Sequence, residues 1–128
     1  MKYISTLILF ILLSFISNAQ NSKINPLLII GKTIKIGNLE IAQNDFPKEM
    51  NWLDAKKASE SLSKGWRLPS KDELYILYKN KIDNIKQNKY WSNSEGKYGY
   101  VWIQYFDGGQ GSDSKDNLNY VRAVRTIK

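Results

Sequence analysis

The sequence predicts a small α+β domain, and three stretches carry that expectation. Gly65-Trp66-Arg67-Leu68-Pro69-Ser70-Lys71-Asp72-Glu73-Leu74 packs a helix stop, a rigid turn and a new helix start into consecutive positions. From Tyr90 the apolar period changes to two, and Tyr98 to Phe106 carries aromatic or aliphatic residues on both faces, as a covered central strand does. The chain then closes on Tyr120-Val121-Arg122-Ala123-Val124-Arg125, an alternating strand that bears two arginines.

Residues 1–20 read as an export signal in front of that domain. Lys2 supplies a positive start, and Ile4 to Ile16 is apolar except for Ser5, Thr6 and Ser14. Ser17-Asn18-Ala19 places small residues where a signal peptidase cuts, so Gln20 or Asn21 becomes the new start. A run of roughly 13 residues is short for a bilayer core that needs about 20. No cysteine follows it, which excludes a lipoprotein anchor. The expectation is a periplasmic or secreted protein with no stable membrane anchor after cleavage. Residues 21–33 are expected to be a lead and first strand, and 34–128 the folded domain.

The mature chain of roughly 108 residues is enough for one core. Its formal net charge is +7 before Lys2 is removed with the leader. In an exported protein that balance points to acidic glycans or anionic surfaces rather than to nucleic acid, or simply to solubility. The absence of cysteine removes disulfides, thiol catalysis and cysteine metal sites; the absence of histidine removes the commonest metal ligand and general base. No cofactor and no catalytic residue is expected.

Taken in order, Leu27 to Ile30 is a continuous apolar run that reads as a buried strand. Lys32 to Ile36 and Leu39 to Ala42 alternate around Gly37-Asn38, a hairpin in which both turn residues supply positive φ. Ile34 and Ile36 are expected on one face, with Leu39 and Ile41 on the opposing one. Asn51 is an N-cap for a helix whose stripe is Trp52, Ala55, Ser59 and Leu62, with Gly65 as its C′ stop. Ser70 and Glu73 form the S-x-x-E capping box of a second helix with Leu74, Leu77 and Tyr78 inward. Asn80 to Lys89 reads as a lysine-rich loop, and Gln110 to Asn119 as a long late loop. In the closing strand Val121, Ala123 and Arg125 share one face and Arg122, Val124 and Thr126 the other.

Several residues could carry chemistry. Trp66 and Leu68 anchor the Pro69 corner, while Arg67 stacks on a ring or bonds loop carbonyls. Arg122 and Arg125 face opposite ways, so at least one points to a covered face and requires an acidic or carbonyl partner, with Asp72 or Glu73 as acidic candidates and anion binding as the alternative. Asp107, Asp113 and Asp116, with Asn117, Asn119 and Glu95, are hard oxygen donors in or near flexible segments. Their spacing matches no EF-hand, and turns favour those residues anyway, which leaves only a weak calcium site open. Tyr98, Tyr100, Trp102 and Tyr105 stand beside that loop, and sugar sites pair such rings with Asp, Asn and Gln. No carboxylate pair has the spacing that would single out glycoside hydrolysis.

Residues from about Ile34 to Ile127 resemble the Legionella collagen-like protein C-terminal domain family of exported bacterial domains. The resemblance rests on Ile36-Gly37-Asn38-Leu39-Glu40, Phe46-Pro47, Met50-Asn51-Trp52 and Asp54-Ala55-Lys56-Lys57-Ala58. It continues through Gly65-Trp66-Arg67-Leu68-Pro69, Glu73-Leu74, Tyr90-Trp91-Ser92, Phe106 with Gly108, and Tyr120 to Arg125. It implies a C-type-lectin-like α+β fold, two helices on a mixed, mainly antiparallel sheet, whose long late loop forms the binding face. Sugar-binding C-type lectins use a Glu-Pro-Asn or Gln-Pro-Asp triplet for calcium and sugar. The prolines here are Pro26, Pro47 and Pro69, so that triplet is missing. The fold is related to that of the formylglycine-generating enzymes, whose activity requires cysteine and is excluded. Ser59 stands where relatives often carry cysteine and is expected to be a neutral packing change.

The functional expectation is an exported, non-catalytic binding domain for an extracellular glycan, acidic by charge balance. A cell-envelope protein partner bound without glycan affinity is the alternative, and an enzyme with an unrecognised carboxylate mechanism a distant third. The expected ligand-binding residues are Tyr98, Tyr100, Asp107, Gln110, Asp113, Asp116, Asn117 and Asn119. The oligomeric state is left open.

Overall fold

The computed structural model describes residues 24–128, so the expected leader and its cleavage site lie outside the described residues. Those residues form three helices, two three-stranded antiparallel sheets and one 3₁₀ turn. The first element corrects the sequence expectation. Leu27 to Ile30 belongs to a short helix, α1 (Pro26–Ile30), not to a strand. Asn25 caps it by accepting the Leu27 N–H at 3.0 Å, and Pro26 occupies the first turn, where its missing N–H costs nothing. Ile29 turns inward, while Leu27 and Leu28 stay exposed.

The hairpin forms as expected, with β1 (Ile34–Ile36) and β2 (Leu39–Ile41) joined at Gly37-Asn38. Only Gly37 has positive φ, at 57°. Its register pairs Ile34 with Ile41 and Ile36 with Leu39. Directly paired residues point to the same side, so all four share one face, which corrects the expected division between faces. β2 also pairs with β6 (Val124–Thr126), placing the chain's beginning and end in one sheet.

The two expected helices are α2 (Trp52–Glu60) and α3 (Lys71–Lys79). Asn51 accepts the Asp54 N–H at 2.9 Å, and Ser70 and Glu73 complete both halves of the capping box. α2 stops at a Ser61 C-cap rather than at Gly65, which instead takes φ 88° in the turn that follows. Ser59 is buried on the α2 stripe and its Oγ has no hydrogen-bond partner among the described residues. The serine is therefore not neutral: a buried unpaired hydroxyl costs about 1–3 kcal/mol.

The second sheet runs β3 (Lys89–Glu95), β4 (Val101–Tyr105) and β5 (Gln110–Asp113), with β4 central. β4 starts later than expected, because Tyr98 lies in the 3₁₀ turn Lys97–Gly99. The late segment is shorter as a loop than expected, because Gln110 to Asp113 pairs with β4 in full register. Gly111 makes this possible: a Cβ there would sit 3.1 Å from the Tyr105 ring.

Two apolar clusters result. One gathers Trp52, Trp66, Leu68, Trp91, Ile103 and Val121. The other gathers Ile41, Leu74, Leu77, Tyr90, Phe106 and Val124. The closing segment threads between them, with Val121 and Ala123 in the first and Val124 in the second. The alternation of residues 121–126 is as the sequence implies, although only Val124–Thr126 is regular strand.

Both arginines of that segment are paired, but not with Asp72 or Glu73. Arg122, with no exposed surface, donates Nε to Asp45 Oδ1 at 2.8 Å, Nη1 to the Ala42 carbonyl at 3.2 Å and Nη2 to the Asn84 carbonyl. Tyr90 Oη donates to the other Asp45 oxygen at 2.6 Å and accepts the Lys86 N–H at 3.0 Å. Burial, reinforced by the Asp45 carboxylate, holds the Tyr90 phenol far above its ordinary value of 10.0. Arg125 forks onto Glu40 at 3.2 Å through both Nε and Nη2. Glu73 belongs instead to Arg67, through bonds of 2.7 and 2.9 Å.

Two outcomes follow from these pairs. Replacing Arg122 by Met strands the Asp45 carboxylate and two carbonyls, so urea titration should show a loss of about 3–5 kcal/mol. The Arg67 hydrogen bond, against opposing burial, holds the Glu73 carboxyl below its ordinary 4.5. Folding therefore favours the ionised form, a contribution present above about pH 4.5 and lost as pH falls through the lowered value. Denaturation midpoints should drop in that acid window, and Glu73→Gln should remove part of the dependence.

Candidate functional site

At one end of the second sheet the chain reverses between β3 and β4. The Gly96 N–H donates to the Tyr100 carbonyl at 2.7 Å, and the Tyr100 N–H to the Lys97 carbonyl at 3.1 Å. Tyr98 is held inside this reversal at φ 58°. That left-handed conformation is unfavourable for a bulky side chain and is visited mainly by Gly, Asn and Asp. The Tyr98 ring is 93% exposed and Tyr100 45% exposed. The fold gains almost nothing from the Tyr98 ring.

The loop 114–119 and the start of α2 lie beside this reversal. The Trp52 N–H donates to the Lys115 carbonyl at 3.1 Å, and Met50 bridges Asn119. Trp52 Nε1 donates to the Ser92 carbonyl at 2.9 Å, which fixes the ring. Two ammonium groups flank that ring: Lys56 at 4.8 Å and Lys115 at 4.7 Å from its centroid. Lys115 also pairs with Glu95 at 2.8 Å and holds the Glu95 carboxyl below its ordinary value. Reversal, loop and helix start thus form one continuous surface.

The structure distributes the expected ligand-binding residues unevenly. Tyr98 and Tyr100 stand on this surface, as do exposed Asp116 and Asn117 in the neighbouring loop. Asp113 is committed internally, accepting from Asn117 Nδ2 at 2.5 Å, the Ser114 N–H at 2.9 Å and Asn119 Nδ2 at 3.0 Å. Burial pushes its carboxyl up, but the Asn119, Asn117 and Ser114 bonds outweigh that and lower it. Asn119 is buried. Gln110 donates its side-chain amide to the Lys71 carbonyl at 2.9 Å and so ties β5 to α3. Asp107 is exposed in the β4–β5 turn, separated from Asp113 by the length of β5, about 10 Å at roughly 3.3 Å per residue. Among the described residues no three His, Cys, Asp or Glu side chains gather as a metal site.

Sequence reasoning assigned Trp52 to the core stripe and missed the lysines around it. Lys56, four residues on along α2, could have been found from helical spacing alone. Lys115 and Glu95 could not, because their meeting depends on how the loop folds back.

The model of the Lcl C-terminal domain matches residues 32–125. The chain belongs to the Lcl C-terminal domain family. No curated protein matches its sequence significantly. Among solved structures, EMS16, an antagonist of the collagen receptor integrin alpha2beta1, superposes with a TM-score of 0.60 at 12% identity. That match covers 74% of this chain and 97% of EMS16. Botrocetin superposes at 0.53 with 16% identity, over 77% of this chain and 98% of its own. At these identities the likeness concerns the fold alone, and the fold of this Lcl C-terminal domain is C-type-lectin-like.

The strain at Tyr98 gives a direct test of whether the fold needs that side chain. Tyr98→Gly removes the left-handed penalty without deleting a packed contact. Thermal or urea unfolding should show unchanged or higher stability, by up to about 1 kcal/mol. A clear loss would mean that the ring supports the fold.

Proposed function

We propose that this domain is a non-catalytic binding module, exported to the periplasm or beyond, whose ligand is an acidic glycan. The observation that carries this reading is Tyr98, an exposed ring on a strained backbone that contributes little to packing. Local strain without a structural return is characteristic of residues kept for a ligand. An aromatic face stacks on the apolar side of a sugar ring, and Tyr100, Asp116 and Asn117 add polar groups close by. Lys56, Lys97 and Lys115 bring cationic groups to the same surface from three elements, in a protein whose net charge is +7. Glu40, Glu73, Glu95 and Asp113 all have carboxyls shifted down. Each is held down by a partner within the fold, Arg125, Arg67, Lys115 and the Asn119 and Asn117 amides respectively, so these four carboxylates serve the fold.

A protein partner from the cell envelope is the second reading. EMS16 is named for a protein target, and Leu53 and Leu118 are exposed beside the Trp52 surface.

Retention of the protein on immobilised heparin and on a neutral polysaccharide, at rising salt and with or without chelator, separates the two. The glycan reading expects retention on heparin that falls steeply with ionic strength and ignores the chelator. Tyr98→Gly should then weaken it about tenfold while leaving the fold intact. Absence of retention on both matrices at low salt would remove the Tyr98 surface as a glycan site and leave that surface to the protein partner.

A further inference from the structure

A cleft of about 540 Å³ lies at the other end of β4, under the loop 80–88 that joins α3 to β3. That volume falls within the roughly 300–1,000 Å³ usual for small-molecule sites. Tyr78, Ile82, Ile85 and Phe106 supply its apolar lining. Phe106 is fixed edge-on to Tyr78, with ring centroids 6.1 Å apart, and to Tyr90 at 4.8 Å. The loop above is pinned by the buried Arg122 and Tyr90 and by Asn44. The Asn84 carbonyl accepts from the Arg122 guanidinium, the Asn84 amide donates to Asn44 Oδ1 at 2.6 Å, and the Lys86 N–H donates to Tyr90 Oη. The hollow is therefore preformed rather than a gap under a slack loop.

Two further observations single it out. Of the three non-glycine residues at positive φ among the described residues, Lys81 (47°) and Asn84 (60°) both line this cleft. Asparagine tolerates that conformation, but lysine does so only at a cost. The rim also holds Lys79, Lys81, Asp83 and Gln87. None of the ion pairs among the described residues uses any of these side chains.

We propose that this cleft is a second binding site, and that it takes a single pyranose ring bearing a carboxylate, a hexuronate. The apolar face of the ring lies on Tyr78 and Ile85. Its hydroxyl groups meet Asp83 and Gln87, and its carboxylate meets the ammonium groups of Lys79 and Lys81. A hollow closed by a loop on one side accepts a chain end or a single sugar rather than the middle of an extended polymer. The proposal rests on the reading of the domain as a glycan binder, and it assigns capture of a terminal residue to a different surface from Tyr98.

The test is an NMR titration of the protein with glucuronate and, separately, glucose, following the Ile82 and Ile85 methyl signals and the Gln87 side-chain amide. Glucuronate is expected to move these signals saturably, and glucose to bind about tenfold more weakly for want of the charge-assisted contacts. The exposed double variant Asp83→Ala, Gln87→Ala should weaken glucuronate about tenfold, whereas Tyr98→Gly should leave it unchanged. No response of these signals up to about 100 mM ligand, a still weaker affinity than any useful site, would overturn the proposal. Equal affinity for glucose would overturn the carboxylate assignment. Heparin retention with silent cleft signals overturns the cleft alone; a responsive cleft without heparin retention overturns the Tyr98 surface alone.

Discussion

A guanidinium with no solvent must be matched atom by atom, and Arg122 is matched from segments far from it in sequence. Asp45 and Ala42 come from the stretch after the first hairpin, and Asn84 from the loop after α3. Tyr90 on β3 completes the network through the second Asp45 oxygen. Replacing such a set by well-packed apolar residues can be neutral in stability, so its value lies in placement. It holds the closing segment between the two apolar clusters and fixes the height of the loop 80–88 over Phe106. Both the first sheet's pairing with β6 and the shape of the cleft depend on that placement.

The parts of the fold legible in the sequence are those decided by local chemistry. Asn51 and the Ser70–Glu73 box each satisfy N–H groups within three residues, so a helix start can be read from the residues themselves. The Gly37 turn is equally local. α1 was misread because an apolar run of four residues fits a strand or a helix equally well by period. The deciding signal was Asn25-Pro26 immediately before it. β5 was not legible for the opposite reason: Gln110-Gly111-Ser112-Asp113 has little strand preference of its own and becomes a strand because β4 offers an edge and Gly111, paired with Ile103, leaves room for the Tyr105 ring. The arginine partners lie beyond local reasoning altogether, since Arg122 reaches back 77 positions to Asp45 and Arg125 reaches 85 to Glu40.

The candidate surface divides along the same line. That Tyr98 and Tyr100 are aromatic residues beside a polar loop was visible in the sequence, although the pattern put them in a covered strand. Their place in a left-handed reversal was not, because strict alternation from Tyr98 to Phe106 argues for a strand that begins earlier. The Asp and Asn residues of the late segment looked interchangeable as ligand groups. In the structure Asp113 is occupied by the amides of Asn117 and Asn119, while Asp116 remains outward. Hydrogen bonding within the fold, not residue type, separates the two kinds.

Both surfaces discussed above are attached to one strand. β4 runs from the Tyr98 reversal at its start to Phe106 just beyond its end, and Val101, Ile103 and Gln104 along it are buried. A central strand paired on both sides does not stretch or bend freely, so the separation of its two ends, Val101 and Tyr105, is set at about 13 Å by four steps of roughly 3.3 Å. A fixed spacing makes simultaneous engagement a matter of ligand length. A monosaccharide held in the proposed cleft would gain nothing from the other surface. A glycan long enough to cross β4 with its end in the cleft and its body on the Tyr98 surface would gain from effective concentration, without any new contact. The domain would then discriminate by chain length as well as by charge, a selectivity that neither surface has alone.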